Sequence, residues 1–173
     1  MSDPGPDEYV VELLAAGHDR GSFSCGVAAL DRYLAVQATQ DLRRGYATVF
    51  VTMEASTGAL VGFYTLSMSS ITVELLPEAM RKKLPRYPLV PAVRLGRLAV
   101  STAARGRGLG RNQLLDAMRR ALESDIAWAM FAVDAKDDVA RSFYRQFGFL
   151  ELADDALHLF LPRETVARVV GRV

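Results

Sequence analysis

Six residues, Arg105-Gly106-Arg107-Gly108-Leu109-Gly110, stand between an apolar stretch, Val93 to Val100, and an amphipathic one, Arg111 to Glu123. The first is predicted as a strand. The second is predicted as a helix with Leu114, Leu115, Met118, Ala121 and Leu122 facing inward. A glycine-rich turn from strand into helix leaves the start of that helix open to a ligand. The first amide N–H groups of a helix have no partner inside it, and an anion is favoured there. Glycine allows positive φ and close backbone approach, so successive N–H groups can converge on one phosphate. Arg105 and Arg107 add charge suited to phosphate oxygens. Two common patterns are excluded: the third glycine of a GxGxxG fingerprint would fall at Arg111, and no Gly-Lys-Ser/Thr follows.

Strands and helices alternate along the rest of the chain. Tyr9 to Leu14 is expected as a first strand. From Val27 the apolar spacing turns helical through Leu30, Leu34, Ala38 and Leu42, and Arg43, Arg44 and Gly45 close the helix with cations and a glycine. Ala47 to Met53 and Leu60 to Val73 flank Ser56-Thr57-Gly58, which predicts a hairpin. Pro77 opens a short helix holding Arg81, Lys82 and Lys83. Leu84 to Pro91, with three prolines, is expected as an extended loop on the substrate face. Ala127 to Val133 predicts a strand buried on both faces. Asp137 and Asp138 begin a helix capped at its C-terminus by Gly148. Phe149 to Leu152 and Leu157 to Leu161 are two closing strands, and Thr165 to Val170 a terminal helix. The fold class is α/β, in the order β-α-β-β-α-β-α-β-α-β.

At 173 residues, half of them hydrophobic, the chain is expected as one domain, residues 1–173. No apolar run approaches the roughly 18–20 residues of a membrane span. The acidic N-terminus lacks the pattern of a signal peptide, so the protein is expected in the cytoplasm. One cysteine, Cys25, and two histidines hold no disulfide and no metal cluster. His18 is expected at the surface of a loop, and His158, alternating with Leu157 and Leu159, on a sheet surface. Charge is unevenly spread. Eleven of the 21 basic residues but only one of the 20 acids, Asp116, lie within 81–120, a segment of net charge +10. That excess suits a polyanionic ligand beyond a cofactor phosphate.

The pattern Arg105-x-x-Gly108-x-Gly110 resembles the acetyl-CoA signature of the GNAT N-acetyltransferases. Ala140-Arg141-Ser142-Phe143-Tyr144-Arg145-Gln146-Phe147-Gly148-Phe149 resembles their other landmark, a helix with alanine and tyrosine followed by Gly-Phe. The resemblance runs from about Phe23 to Leu161 and implies a mixed central sheet with helices on both faces. It implies acetyl-CoA as cofactor, with Leu98, Ala99 and Val100 lining it through backbone groups. The amides of Arg105, Gly106, Arg107, Gly108, Leu109 and Gly110 would hold the pyrophosphate, with Arg111 assisting. Ala140 and Phe143 would flank the pantetheine arm. Asp137 stands where many members carry an asparagine that contacts CoA. Tyr144 would be the general acid.

One branch is closer still. Phe23-Ser24-Cys25-Gly26, Leu30-Asp31-Arg32-Tyr33-Leu34, Ala47-Thr48-Val49-Phe50-Val51, Gly62-Phe63-Tyr64-Thr65-Leu66-Ser67 and Leu95-Gly96-Arg97-Leu98-Ala99-Val100 are similar to the toxins of type II toxin–antitoxin pairs. These acetylate the α-amino group of aminoacyl-tRNA and stop translation, and the branch is often dimeric. The resemblance implies aminoacyl-tRNA as substrate and a ribbon-helix-helix antitoxin as partner. Arg81, Lys82, Lys83 and Arg86 would meet the phosphates of the acceptor arm, with Arg97 beside the aminoacyl end. Two other readings are a GNAT for a small amine or a protein N-terminus, and a non-enzymatic module that binds CoA or nucleic acid. No glutamate or histidine stands out as a base. That suits an α-amine, whose pKa of roughly 7.7–8.0 leaves an appreciable neutral fraction at pH 7.

Overall fold

A computed structural model of the chain describes residues 8–172. The described residues part into two compact units: one formed by residues 8–67 with Gly96–Ala117, the other by Met68–Leu95 with residues 118–172.

In the first unit β1 (Tyr9–Leu13) runs antiparallel to β2 (Thr48–Glu54), and β2 antiparallel to β3 (Leu60–Thr72). Between β1 and β2 the predicted helix forms in three pieces: α1 (Ala28–Arg32), a π-helical stretch (Tyr33–Gln37) and α2 (Ala38–Arg44). The sequence explains the middle piece. Leu30, Leu34, Ala38 and Leu42 recur every four residues, and in a regular α-helix a step of four drifts by about 40° around the axis. The wider π turn removes that drift, so all four stay on the core with Phe23, Tyr33, Val49, Val51 and Phe63. Gly45 ends the helix at φ +78°, as its place beyond the last basic residue predicts. His18 is more than a surface side chain. Its Nδ1 accepts from the Ala15 amide at 2.9 Å and its Nε2 lies 2.6 Å from Glu12, which closes the turn after β1.

In the second unit the first half of β4 (Leu89–Val100) runs parallel to β5 (Met130–Asp134) from Ala92↔Met130 to Leu95↔Val133. β7 (His158–Pro162) is antiparallel to β5 on one side and to β6 (Leu150–Glu151) on the other. Among the described residues the strands follow the order β1-β2-β3-β4-β5-β7-β6, a mixed sheet. The helices are α3 (Glu78–Arg81), α4 (Leu109–Glu123), α5 (Asp138–Arg145) and α6 (Arg163–Gly171). Ile71, Leu76, Val90, Ala92, Met130, Leu152 and Phe160 form an apolar core within this unit.

Several boundaries move from their expected places. β4 begins at Leu89, inside the proline run, because Pro91 needs only its carbonyl there, accepting from the Ala129 amide at 2.9 Å. β5 begins at Met130 and not at Ala127. Trp128 turns its indole N–H onto the Ala121 carbonyl at 2.8 Å, binding the end of α4 instead of extending the strand. α3 stops at Arg81, so Lys82 and Lys83 lie in the turn beyond it. Gly148, at φ +91°, sits past the end of α5, whose C-cap is Gln146.

Candidate active site

Within the first unit β4 runs through Leu98, Ala99 and Val100 to Ser101, whose amide donates to the Val61 carbonyl at 2.8 Å. The glycine turn follows a short 3-10 segment, Thr102–Ala104. Gly106 and Gly108 have φ of +77° and +75°, a region in which only glycine is unstrained. These two left-handed residues set the backbone for entry into α4, which starts at Leu109. Leu109 is buried with Val61 and Ala104 and anchors the first turn. The first amides of a 15-residue helix are therefore presented by a rigid turn, and this fits a diphosphate.

The two arginines of the turn take bracing contacts instead of projecting as free cations. Arg105 donates from Nη2 to the Cys25 carbonyl at 2.5 Å, with Gly26 packed so tightly beneath it that a Cβ there would lie 2.9 Å from that nitrogen. Arg107 donates to Glu54 at 3.0 Å and to the Tyr9 hydroxyl at 3.2 Å. That pair, with the Thr57 hydroxyl as the larger influence, holds the Glu54 carboxyl below its ordinary pKa. The backbone N–H groups are left as the principal anion contacts. Arg111 is half-buried in the first turn of α4.

Gln113 was not legible in the sequence. It is fully buried, donates from Nε2 to the Ala99 carbonyl at 3.0 Å, and accepts at Oε1 from the Thr52 hydroxyl at 2.7 Å. Its amide occupies the space above Gly62, where a Cβ would lie 2.4 Å from Oε1. Arg97 stacks its guanidinium 3.6 Å from the centre of the Tyr33 ring, and Tyr33 donates to Asp41 at 2.9 Å.

Within the second unit α5 carries the other expected residues. Asp137 caps the helix, accepting from the Ala140 amide at 2.8 Å and from Lys136 at 2.8 Å. Its carboxyl is held below its usual pKa by Lys136 first and by that amide second. Ala140 and Phe143 are half-buried. Tyr144 is 4% exposed and packs edge-on against Phe143 and Phe149. Burial, and secondarily the negative charge of Asp134, push its phenol well above the ordinary tyrosine pKa, so it stays protonated at neutral pH. Arg81, Lys82, Lys83 and Arg86 are all exposed on α3 and the turn after it. Lys82 pairs with Glu78 at 3.7 Å, an exposed contact of little energetic weight.

The model of the acetyltransferase (GNAT) domain matches residues 45–151, more than half the chain. The chain belongs to the GNAT acetyltransferase family. It is 36% identical over 155 residues to the tRNA-acetylating toxin of Mycobacterium tuberculosis strain H37Rv, covering 88% of this chain and 91% of that protein. AtaT in complex with acetyl-methionyl-tRNAfMet superposes with a TM-score of 0.85 at 27% identity, over 93% of this chain and 98% of AtaT. AtaTR bound with acetyl-CoA superposes with a TM-score of 0.81 at 26% identity, over 94% and 98%. Among the described residues no helix is long and apolar enough to cross a membrane.

Proposed function

We propose that this GNAT enzyme transfers the acetyl group of acetyl-CoA to the α-amino group of aminoacyl-tRNA and so blocks translation, as the toxin of a toxin–antitoxin pair. The observation that carries this reading is the 36% identity to a tRNA-acetylating toxin across most of both chains, with the glycine turn and Tyr144 intact. Acetyl-CoA supplies an acetyl group activated as a thioester. The Arg105–Gly110 amides would hold its diphosphate, the backbone of Leu98 to Val100 and the side chains of Ala140 and Phe143 would line its arm, and Asp137 fixes the start of α5. A backbone N–H near the end of β4 steadies the oxyanion that develops on the carbonyl. Tyr144, kept protonated by burial, gives its proton to the departing thiolate.

Arg81, Lys82, Lys83 and Arg86 contact the phosphates of the acceptor arm, and Arg97 lies by the aminoacyl end. With that substrate, the protein acts in the cytoplasm. The remaining partners are a ribbon-helix-helix antitoxin and a second copy of the chain. The deciding experiment incubates a charged tRNA pool with labelled acetyl-CoA and identifies acetyl-aminoacyl-adenosine by mass spectrometry. Acetylation of tRNA is expected. Transfer to free amines or protein N-termini with none to tRNA would overturn the reading.

A further inference from the structure

A pocket of about 260 Å³ lies wholly within the second unit. Three adjacent strands set a row of side chains along one side of it. Arg94 on β4 aligns with Ala132 on β5, two residues before Asp134, and Asp134 is the register partner of His158 on β7. Alternation along strands therefore puts Arg94, Asp134 and His158 on one face. Asp154, from the turn between β6 and β7, completes the wall. That turn is pinned by the Leu152 amide on the His158 carbonyl and the His158 amide on the Asp155 carbonyl.

The hydrogen bonds in this row are directional. Arg94 donates from Nε (2.6 Å) and from Nη2 to the same oxygen, Oδ2 of Asp134. Among the described residues no donor reaches the other oxygen, Oδ1. His158 Nδ1 lies 3.2 Å from the Asp154 carboxylate. A carboxylate can only accept, so in the neutral ring Nδ1 carries the proton and Nε2 the lone pair. Nε2 faces Oδ1 of Asp134 at 3.9 Å, too far for a hydrogen bond. Two oriented acceptors thus share a gap with no donor between them. A nitrogen about 2.9 Å from each would sit at the apex of a triangle on that base. A primary amine, with two N–H groups, is the ligand this arrangement fits.

We infer that His158 is the base of the transfer, with the acceptor amine seated between His158 Nε2 and Asp134 Oδ1. This rests on the acetyl transfer proposed above. As the amine nitrogen bonds to the thioester carbonyl carbon, one N–H proton passes to Nε2 of His158. Asp134 holds the second N–H, and Asp154 steadies the imidazolium. When the C–S bond breaks, Tyr144 gives its proton to the sulfur, and solvent carries the imidazolium proton back to the phenolate. The amine becomes an amide and the thioester a thiol, with no net proton consumed. Placement supports the pairing. Tyr144 packs on Phe149, and Phe149 on Phe131, which lies on the opposite face of β5 from Ala132 and Asp134. Asp134 is the last residue of β5. Proton donor and proton acceptor therefore flank the end of one strand from its two faces.

The test is chemical rescue. With a charged tRNA pool as acceptor, His158→Ala should lose about a hundredfold in kcat, as expected when a general base is removed. The KM for acetyl-CoA should hold, and added imidazole should restore about tenfold or more of the variant's rate while leaving the parent unchanged. Asp154→Asn should lose about tenfold, because the ring no longer needs its proton on Nδ1. The tautomer gives a readout independent of turnover. Only two histidines are present, so two-bond proton–nitrogen NMR correlations resolve His158 once His158→Ala assigns it. A proton on Nδ1 in the parent supports the inference. A proton on Nε2, a variant within twofold of the parent, or a loss that imidazole leaves untouched would overturn it. If the parent fails on charged tRNA but acetylates an amino acid methyl ester, only the aminoacyl-tRNA reading falls, and rescue is read on the ester.

Discussion

The buried amide of Gln113 holds the main-chain carbonyl of Ala99 at 3.0 Å, from a helix that begins at the glycine turn to the strand that leads into it. The same side chain satisfies Thr52, so one residue ties three elements of the first unit together. Gln113→Leu should leave a buried carbonyl and a buried hydroxyl without partners, each costing about 1–3 kcal/mol. A clear drop in Tm, with weaker acetyl-CoA binding, is expected. Gly62→Ala, whose Cβ would meet the Gln113 amide, should do the same. Unchanged melting of both variants would show the contact to be incidental.

Gly110 offers a cleaner probe of the anion site than Gly108. Gly108 needs positive φ, so any side chain there strains the backbone as well as blocking a ligand, whereas Gly110 is an ordinary helical residue. Gly110→Glu places a negative charge in the first turn of α4. Acetyl-CoA affinity, measured by calorimetry, should fall about tenfold or more, with Tm nearly kept. Full affinity would remove the turn from the site.

Tyr144→Phe keeps the ring packing against Phe143 and Phe149 and removes the proton donor alone. Turnover should fall by roughly 10²–10⁴ while acetyl-CoA still binds. Parental turnover would make Tyr144 a core aromatic and nothing more.

Tyr33 gives the fold an alkaline limit. Burial first, then its hydrogen bond to Asp41, raise its phenol to about 12, although Arg97 above the ring opposes them. The native state therefore holds this proton more tightly than the unfolded chain. The resulting stability is complete below the unfolded tyrosine pKa of about 10 and is lost as pH climbs towards the folded value. Tyr144, shifted in the same direction, adds to the effect. Urea midpoints measured from pH 9 to 11.5 should decline less steeply in Tyr33→Phe than in the parent.

The exposed cations after α3 are testable through salt. Replacing Arg81, Lys82 and Lys83 with alanine should raise KM for aminoacyl-tRNA and flatten its salt dependence by roughly two to three units of slope. Acetyl-CoA binding should stay at the parental value. Coincident curves across a salt series would make the segment an ordinary solvated surface.

The elements that were legible in the sequence were those with a local cause. Gly106 and Gly108 were identified by what a strand-to-helix turn demands, and both have the positive φ that demand implies. Asp137 was placed at the start of a helix by its charge, and it caps that helix. Residues defined by distant partners were not legible. Arg105 and Arg107 were expected to point at phosphate, but Cys25 lies 80 positions from one and Glu54 lies 53 from the other. His158 lies partly exposed on the sheet face that alternation in β7 predicts, but alternation does not show which side chains meet it there. Its two carboxylates come from β5 and from the turn before β7, and pairing alone brings them together.

The π-helical stretch from Tyr33 to Gln37 has a consequence for the lineage of this chain. It accommodates a residue that a regular helix of the same reach would not need, as a one-residue insertion into an older α-helix would. Ala35, Val36 and Gln37 are displayed outward, Val36 at 69% exposure, while Leu34 and Ala38 keep full burial on either side. A relative that never gained the insertion should match this chain up to Tyr33 and again from Ala38, offset by a single position, with the same side chains on the core. Sequence alignments drawn without a gap there would pair buried residues of one protein with solvent-facing residues of the other along the whole of α2.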